Sequence, residues 1–351
     1  MVWCKRAREE GDRRACLFLL EEYLASLGMG EEQAAARRYR WLYEENPHGQ
    51  AVTYVARGDD GEPLGMTSLF PRRVLVAGRE RVGSIGGDGY VRPVARRRGV
   101  ATRLHEAARS GLSEGLVEFM YGPPKPHNLQ ALLRAGSTMV GEAQRFSRLM
   151  GPGGMPPRMA ETLDRGLLRR ALTEILRPGQ RGAAELQMEA LGPEPDARVD
   201  VVCEQVSAGL GVVPLRDAAY YAWRFARSPR GRQRGWLLSE GGRPRAVVAL
   251  EQQGGRAAIL DMLCEDARRG AVLRTLLRWL SAHGCNERVT LEIHVPGLAA
   301  LRPALLAAGF LPRGRLGFQV LARPGDAQAA LLLQPEAWGY LWGDGDVEQV
   351  L

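Results

Sequence analysis

Along the chain, stretches where apolar and polar residues alternate give way to stretches where apolar residues recur every three or four positions, and this change of period happens twice. Alternating or continuously apolar runs read as strands, and recurrence at i, i+3, i+4 and i+7 reads as a helix. In the first half, residues 53–57 predict a strand, 58–63 a turn with Gly, Asp and Pro, and 64–70 a second strand. Another strand ends over 90–92, and the helix predicted over 99–112 puts Leu104, Ala107, Ala108 and Leu112 on one face. A β-rich run at 116–121 closes the series. The second half repeats it, with strands at 236–239 and 246–251 around a turn at 240–244, a helix over 270–283 and a β-rich run at 288–295. Strands, an Arg-Gly turn, a helix and a further strand predict an α/β fold in each half, a central mixed β-sheet flanked by helices.

The two series share residues as well as period. Trp41 and Trp223, Tyr43 and Phe225, Pro47 and Pro229, Gly49 and Gly231, and Tyr54 and Trp236 are each separated by 182 positions. Five matches at one offset, three of them aromatic, mark an internal repeat. Between the copies, 151–157 (GPGGMPP) is rich in helix and strand breakers, 160–176 has helical periodicity, and 192–197 is turn-rich. The expected organisation is a first domain over 1–150, a linker with a helix over 151–195, packed between domains, and a second domain over 196–351.

Composition narrows the function classes. Hydrophobic residues make up 45% and charged residues 25%, which fits a globular chain and excludes disorder throughout. The net charge of +8 fits either attraction to an anionic ligand or Arg-rich solvated faces. No basic run is interleaved with aromatics, so no nucleic-acid partner is expected. The five cysteines are odd in number and scattered, with no metal-ligand spacing. They fit a reducing cytoplasm and no metal. The N-terminal stretch is polar, and no run of about 18 uncharged apolar residues occurs, so neither a secretory leader nor a membrane partner is expected.

The segment that carries chemistry reads SIGGDGYVRPVARRRGVATRLHEAA. Between the strand end at Tyr90 and Val91 and the amphipathic helix lies a turn, Arg96, Arg97, Arg98, Gly99, Val100 and Ala101, followed by Thr102. Glycine and a small residue let the backbone approach a ligand, and the unsatisfied amides of a helix's first turn bind an anion. Three consecutive arginines add cationic reach for phosphate groups.

The stretch from Val91 to Ala101, V-R-P-x-x-R-R-R-G-V-A, resembles the GNAT superfamily of acyltransferases, in which this turn holds the pyrophosphate of acetyl-CoA. Downstream, Asn128, Ala131 and Gly136 look like that superfamily's N-x-x-A…G-F signature, in which the Asn binds the pantetheine arm. The repeated W-R-[YF]…P-x-G and the terminal W-x-x-x-W-G-D-x-D resemble a branch with two tandem GNAT-like domains. The resemblance implies acetyl-CoA or another acyl-CoA as co-substrate, held by Tyr90, Val91, Arg96, Arg97, Arg98, Gly99, Val100, Ala101, Thr102 and Asn128. It also implies an amine acceptor, either a small molecule or a peptide. The helix after Asn128 lacks the Tyr that in many members protonates the leaving thiolate, and Ser137 stands where Phe is usual. Tyr121 is the nearest substitute. The second half keeps Gly309-Phe310, but its turn, residues 267–272, lacks the leading Gln/Arg and the final Gly/Ala, so it is not expected to bind CoA.

An ammonium must lose a proton before its nitrogen attacks a thioester. Asp88 is the first candidate base, since a two-residue period puts it on one face with Tyr90. Glu118 and His127 are the others. His105 is expected to face solvent, and Asp344 and Asp346 either reach the acceptor pocket or cap a turn. The thioester oxygen is expected to meet a backbone amide near Val91. The leading expectation is acyl-CoA-dependent N-acyl transfer to a primary amine. The alternatives are a Fem-like aminoacyltransferase and a non-catalytic acyl-CoA sensor.

Overall fold

The computed structural model describes residues 2–29, 34–125, 128–151, 154, 186–207, 211–229, 231–294, 299–341 and 344. The helix expected over 160–176, most of the hinge at 151–157, His127 and Asp346 lie outside the described residues.

In chain order the first elements are β1 (Trp3–Arg6), α1 (Glu10–Ser26), α2 (Ala34–Tyr39), β2 (Val52–Arg57), β3 (Pro63–Val76), β4 (Arg79–Val91), α3 (Val100–Ser113), β5 (Phe119–Gly122), α4 (Leu129–Arg134) and β6 (Thr138–Leu149). There follow β7 (Gln187–Ala190), α5 (Ala197–Ser207), β8 (Val212–Pro214), α6 (Ala218–Tyr221), β9 (Gln233–Glu240), β10 (Arg243–Gln253), β11 (Arg256–Cys264), α7 (Arg269–Ala282), β12 (Arg288–His294), α8 (Leu301–Ala307), β13 (Leu311–Ala322) and α9 (Ala329–Leu332). A π-helical turn follows α2 at Arg40–Glu44 and recurs after α6 at Ala222–Ala226, so the repeat read at 182 positions is also a repeat of backbone geometry.

Packing divides the chain into two units, and neither is continuous. The first comprises Met1–Gly141, Gly211–Leu215 and Gly317–Ala337, and the second Glu142–Leu210, Arg216–Leu316 and Trp338–Leu351. In the first unit the strand order is β1-β2-β3-β4-β5-β13, with β4 and β5 parallel and the other neighbours antiparallel; β8 also pairs with β3. In the second it is β6-β12-β11-β10-β9-β7, with β11 and β12 parallel. These units differ from the expected continuous domains over 1–150 and 196–351, because they part within β6, between Gly141 and Glu142, and within β13, between Leu316 and Gly317.

Alternation along β2 builds two faces in the first unit. Val52, Tyr54 and Ala56 pack with Val100, Leu104, Ala108 and Leu112 of α3, whereas Val55 packs with Leu19, Leu20 and Tyr23 of α1. The α3 residues recur every fourth position, so one stripe of the helix is buried while its arginines stay outside. Gly111 completes that stripe, since a Cβ there would meet Tyr54 Oη at 2.9 Å. The second unit is built around Leu273, Leu276, Leu277 and Leu280 of α7, packed on Val248, Ile259 and Leu291. None of the described helices is long and apolar enough to cross a membrane.

Candidate active site

In the first unit, β4 and β5 run together for three residue pairs, Gly83 with Phe119, Ser84 with Met120 and Ile85 with Tyr121. On its other side β4 stays paired with β3 as far as Val91 with Gly65. Residues 86–91 therefore leave β5 while still held by β3, and a wedge opens between two parallel strands. Both strands contribute to the opening. On β5, Gly122 has φ of 132° and is followed by Pro123 and Pro124, which cannot continue a ladder. On β4, the register with β3 shifts between Met66 and Ser68, and the extra residue there, Asp88, adopts φ of 48°. Such a bulge bends the strand and increases its twist.

A left-handed aspartate persists only when its surroundings hold it. Arg38 of α2 donates from Nη2 to Asp88 Oδ1 at 2.7 Å and from Nε to Oδ2 at 3.1 Å, and Tyr43 Oη donates to Oδ2 at 2.8 Å. Ser68 Oγ in turn donates to Tyr43 Oη at 3.2 Å. Burial and the adjacent Asp88 charge push Tyr43 well above the usual phenol range, which keeps it a donor. Arg38 Nε also lies 3.2 Å from Oδ1, so its single N–H is shared between the two carboxylate oxygens, and both oxygens are engaged.

The wedge presents backbone amides. Arg92 N–H donates to Leu64 O on β3 at 3.0 Å. Successive residues of an antiparallel strand face opposite edges, so Val91 turns its amide and carbonyl away from β3, toward the opening. The Val91 carbonyl accepts from Arg96 Nε at 3.1 Å, as that direction requires.

Beyond Val91 a 3₁₀ turn at Pro93–Ala95 leads into Arg96–Gly99, all four exposed. Arg97 has φ of 62° and Gly99 φ of 75°. Left-handed residues just before a helix turn successive amides inward and form an anion-binding hollow. The α3 ladder starts with Arg103 N–H donating to Gly99 O at 3.1 Å, so the amides of Val100, Ala101 and Thr102 precede it and point out of the helix end. Buried Ala95 and Val100 anchor the loop from below. Asn128 precedes α4 and lies beside the wedge: a Cβ at Gly89 would meet Asn128 Nδ2 at 3.8 Å.

The structure brings together Tyr90, Val91, the turn from Arg96 to Thr102, and Asn128. Asp88 and Tyr90 do share the face covered by α1 and α2, but Asp88 is consumed by Arg38 and Tyr43. Glu118 lies at the opposite end of β4, where it accepts from Val82 N–H at 2.9 Å and Arg81 Nε at 2.7 Å. Tyr121 stands at the root of the wedge, its buried ring packed near Phe119 and Phe318 at 5.9 and 6.5 Å. His105 is half-buried rather than solvent-facing, and burial lowers its pKa. Asp344 is buried against Arg216 in the second unit. Sequence reading missed Arg38 and Tyr43, which hold Asp88. Tyr43 carried a signal, because it belongs to the repeat, but Arg38 did not stand out among so many arginines.

The second unit has the strand arrangement without the turn. β11 and β12 pair in parallel over four residues, from Arg256 with Arg288 to Ile259 with Leu291. The 3₁₀ turn Asp266–Arg268 then runs straight into α7 at Arg269. The residues that form the hollow at 96–99 have no counterpart, and Asp266 already sits at that helix end, paired with Arg269 Nη2 at 2.5 Å.

Residues 17–131 match the model of the acetyltransferase (GNAT) family. No curated protein sequence matches the chain. Among solved structures, the chain is similar to a GCN5-related N-acetyltransferase from Anabaena variabilis (TM-score 0.63, 12% identity, covering 91% of this chain and 72% of the other). It is similar as well to a GCN5-related N-acetyltransferase from Kribbella flavida (TM-score 0.62, 13% identity, 95% and 74%). The N-myristoyltransferase of Saccharomyces cerevisiae with bound myristoyl-CoA gives a TM-score of 0.60 at 9% identity, over 92% and 79% of the two chains.

Proposed function

We propose that this chain, a GNAT-fold protein whose residues 17–131 match that family's model, is an acyl-CoA-dependent N-acyltransferase working at the wedge of its first unit. The observation that carries this reading is the meeting of an open strand edge at Val91 with the anion-binding hollow at Arg96–Thr102. The hollow fits a pyrophosphate, with inward-turned amides and three exposed arginines around it. The wedge fits the pantetheine arm, with backbone groups along 86–91 and Asn128 Nδ2 beside Gly89. Myristoyl-CoA bound in one of the similar structures, and two others being GCN5-related N-acetyltransferases, support acyl-CoA as the donor class.

In this reading the acyl carbonyl rests on the Val91 amide, which meets the negative charge that develops on its oxygen. A neutral amine attacks the carbonyl carbon, the C–N bond forms, and the C–S bond breaks as the thiolate leaves with a proton. Direct transfer is the proposed route, since burial raises all five cysteine thiols above their usual range and so disfavours the thiolate that would carry the acyl group. Acetyl-CoA is the proposed donor, and a primary amine of a small molecule, amino sugar or peptide the acceptor. A cytoplasmic location goes with the five free thiols. The second unit binds no CoA and supports the first.

A non-catalytic acyl-CoA sensor is the second reading, favoured by the full engagement of Asp88 and the burial of Tyr121. Calorimetry with acetyl-CoA, followed by thiol release in the presence of assorted amines, tests both. Saturable binding with amine-dependent CoA release is expected. Binding without release supports the sensor, and no binding at millimolar acetyl-CoA overturns both.

A further inference from the structure

The two faces of the first unit's sheet meet the wedge differently. Val91 packs on the face covered by α3, whose N-terminus carries the anion hollow, while Tyr90 packs on the face covered by α1. A donor held by the hollow therefore approaches the opening from the α3 face, and the α1 face is left for whatever attacks.

Asp88 on that face is taken up by Arg38 and Tyr43, and the next carboxylate tied to this strand end is Glu22, near the end of α1. Its Oε2 accepts from Arg92 Nε at 3.1 Å and from Tyr90 Oη at 3.4 Å. Those two residues flank Val91 on either side in the chain. Glu22 is thus tied to the residues next to the amide that faces the wedge, rather than only lying near it. No described residue donates to Oε1, and the side chain keeps 30% of its surface exposed. Burial and the Glu22 charge raise the Tyr90 phenol above its usual range, so it remains a donor. Arg92 is fixed as well, with its guanidinium 4.9 Å from the Phe18 ring centroid and Nη1 donating to Pro63 O at 3.3 Å. The neighbouring cation, Lys125, is held by Tyr23, with Nζ donating to its Oη at 2.8 Å. One carboxylate oxygen is therefore clamped while the other is unspent, and the arginine and lysine beside it are already held by other partners.

We infer that Glu22 binds the acceptor's ammonium group through Oε1 and takes its proton, so that acceptors are amines that arrive as cations. The inference rests on the acyl-transfer reading above and adds the acceptor's recognition to it. The proton balance is complete: the ammonium gives one proton to Glu22 and attacks as the neutral amine. The second N–H proton leaves with the thiolate, the products are amide and CoA thiol, and Glu22 returns its proton to solvent.

The test compares wild type, Glu22→Gln, Glu22→Asp and the exposed neighbour Glu21→Gln with acetyl-CoA at pH 7.5. The probes are 1,4-diaminobutane, glucosamine, a peptide with a free α-amino group, and hydroxylamine as a nucleophile neutral at that pH. Glu22→Gln should keep the acetyl-CoA Kd within about twofold and raise KM for the ammonium probes about tenfold to a hundredfold, the range of a lost charged hydrogen bond. Glu22→Asp should recover part of the loss. Hydroxylamine turnover and the Glu21→Gln control should change by less than about twofold, within ordinary surface variation. Unchanged ammonium KM in Glu22→Gln overturns the inference. So does equal loss with hydroxylamine, or failure of wild type to acylate any ammonium probe while acetyl-CoA binds. Failure of wild type to bind acetyl-CoA brings down the parent reading instead.

Discussion

Arg38 holds Asp88 through both carboxylate oxygens, Nη2 to Oδ1 at 2.7 Å and Nε to Oδ2 at 3.1 Å, at the bulge where β4 parts from β5. The second unit repeats the device at the corresponding strand, where Arg216 Nε lies 3.2 Å from Asp261 Oδ2 and Tyr221 Oη donates to that carboxylate at 3.0 Å. In each unit a buried Arg, Asp and Tyr fasten a strand bend to the helical segment beside it.

Removing one member of a buried pair leaves the other charge unpaired, which costs about 3–5 kcal/mol. Asp88→Ala is expected to lose that much in denaturant unfolding, and Arg38→Met with Asp88→Leu together to lose less than either single change. If Asp88→Ala unfolds within about 0.5 kcal/mol of wild type, the normal range for surface changes, the clamp is not what holds the bulge.

At the turn, Arg98→Glu puts a negative charge where phosphate groups are proposed to bind, and Gly99→Val forces a β-branched residue into the left-handed region. Each is expected to weaken acetyl-CoA binding at least about tenfold, or 1.4 kcal/mol. Calorimetry at two salt concentrations checks this, because wild-type affinity should fall with salt more steeply than that of Arg98→Glu. Arg268→Glu, before α7 in the second unit, should leave the Kd unchanged.

Burial pushes Asp261 up to about 6, against the pull of Arg216 and with the Asp344 charge adding to it. An aspartate in the unfolded chain titrates near about 3.9. The folded value is the higher one, so this group's contribution is fully present below about 3.9 and lost as pH rises through about 6. Between pH 7 and 4.5 it should make unfolding harder as pH falls. Asp261→Asn should flatten that part of the urea-unfolding profile, and an identical slope in the two proteins would exclude the assignment.

In the α3 stripe, Gly111→Ala would bring a methyl group to 2.9 Å from Tyr54 Oη. Overpacking of this kind costs about 1–3 kcal/mol, and a lower Tm measured by circular dichroism is the expected readout. Pairing the change with Tyr54→Phe should restore part of it.

Much of this protein was legible from its residues. The period change over 99–112 yielded α3 to within a residue or two, because its buried stripe and exposed arginines follow the helix repeat. The match of Trp41 to Trp223 and of Tyr43 to Phe225 announced a duplicated unit, since aromatic packing around the π-helical turn constrains both copies alike. The turn before α3 at Arg96–Gly99, proposed to hold phosphate groups, also stood out, because a Gly-containing turn at a helix start is set by local sequence.

What the sequence could not assign was set by partners distant in the chain. Asp88 looked available as a base, and it is Arg38, 50 positions away and one of many arginines, that occupies it. Glu118 stood as a candidate behind Asp88 until strand pairing put it beside Arg81 and Val82. Glu22 carried no local signal, because its standing comes from Tyr90 and Arg92 across the sheet. Even the division into units falls within β6 and β13, whose hydrophobic pattern makes them strands without saying which strands they pair with. Local period and spacing are properties of neighbours in sequence. Which charges neutralise each other, and which oxygen is left unspent, follows from the packed chain, where burial makes pairing compulsory.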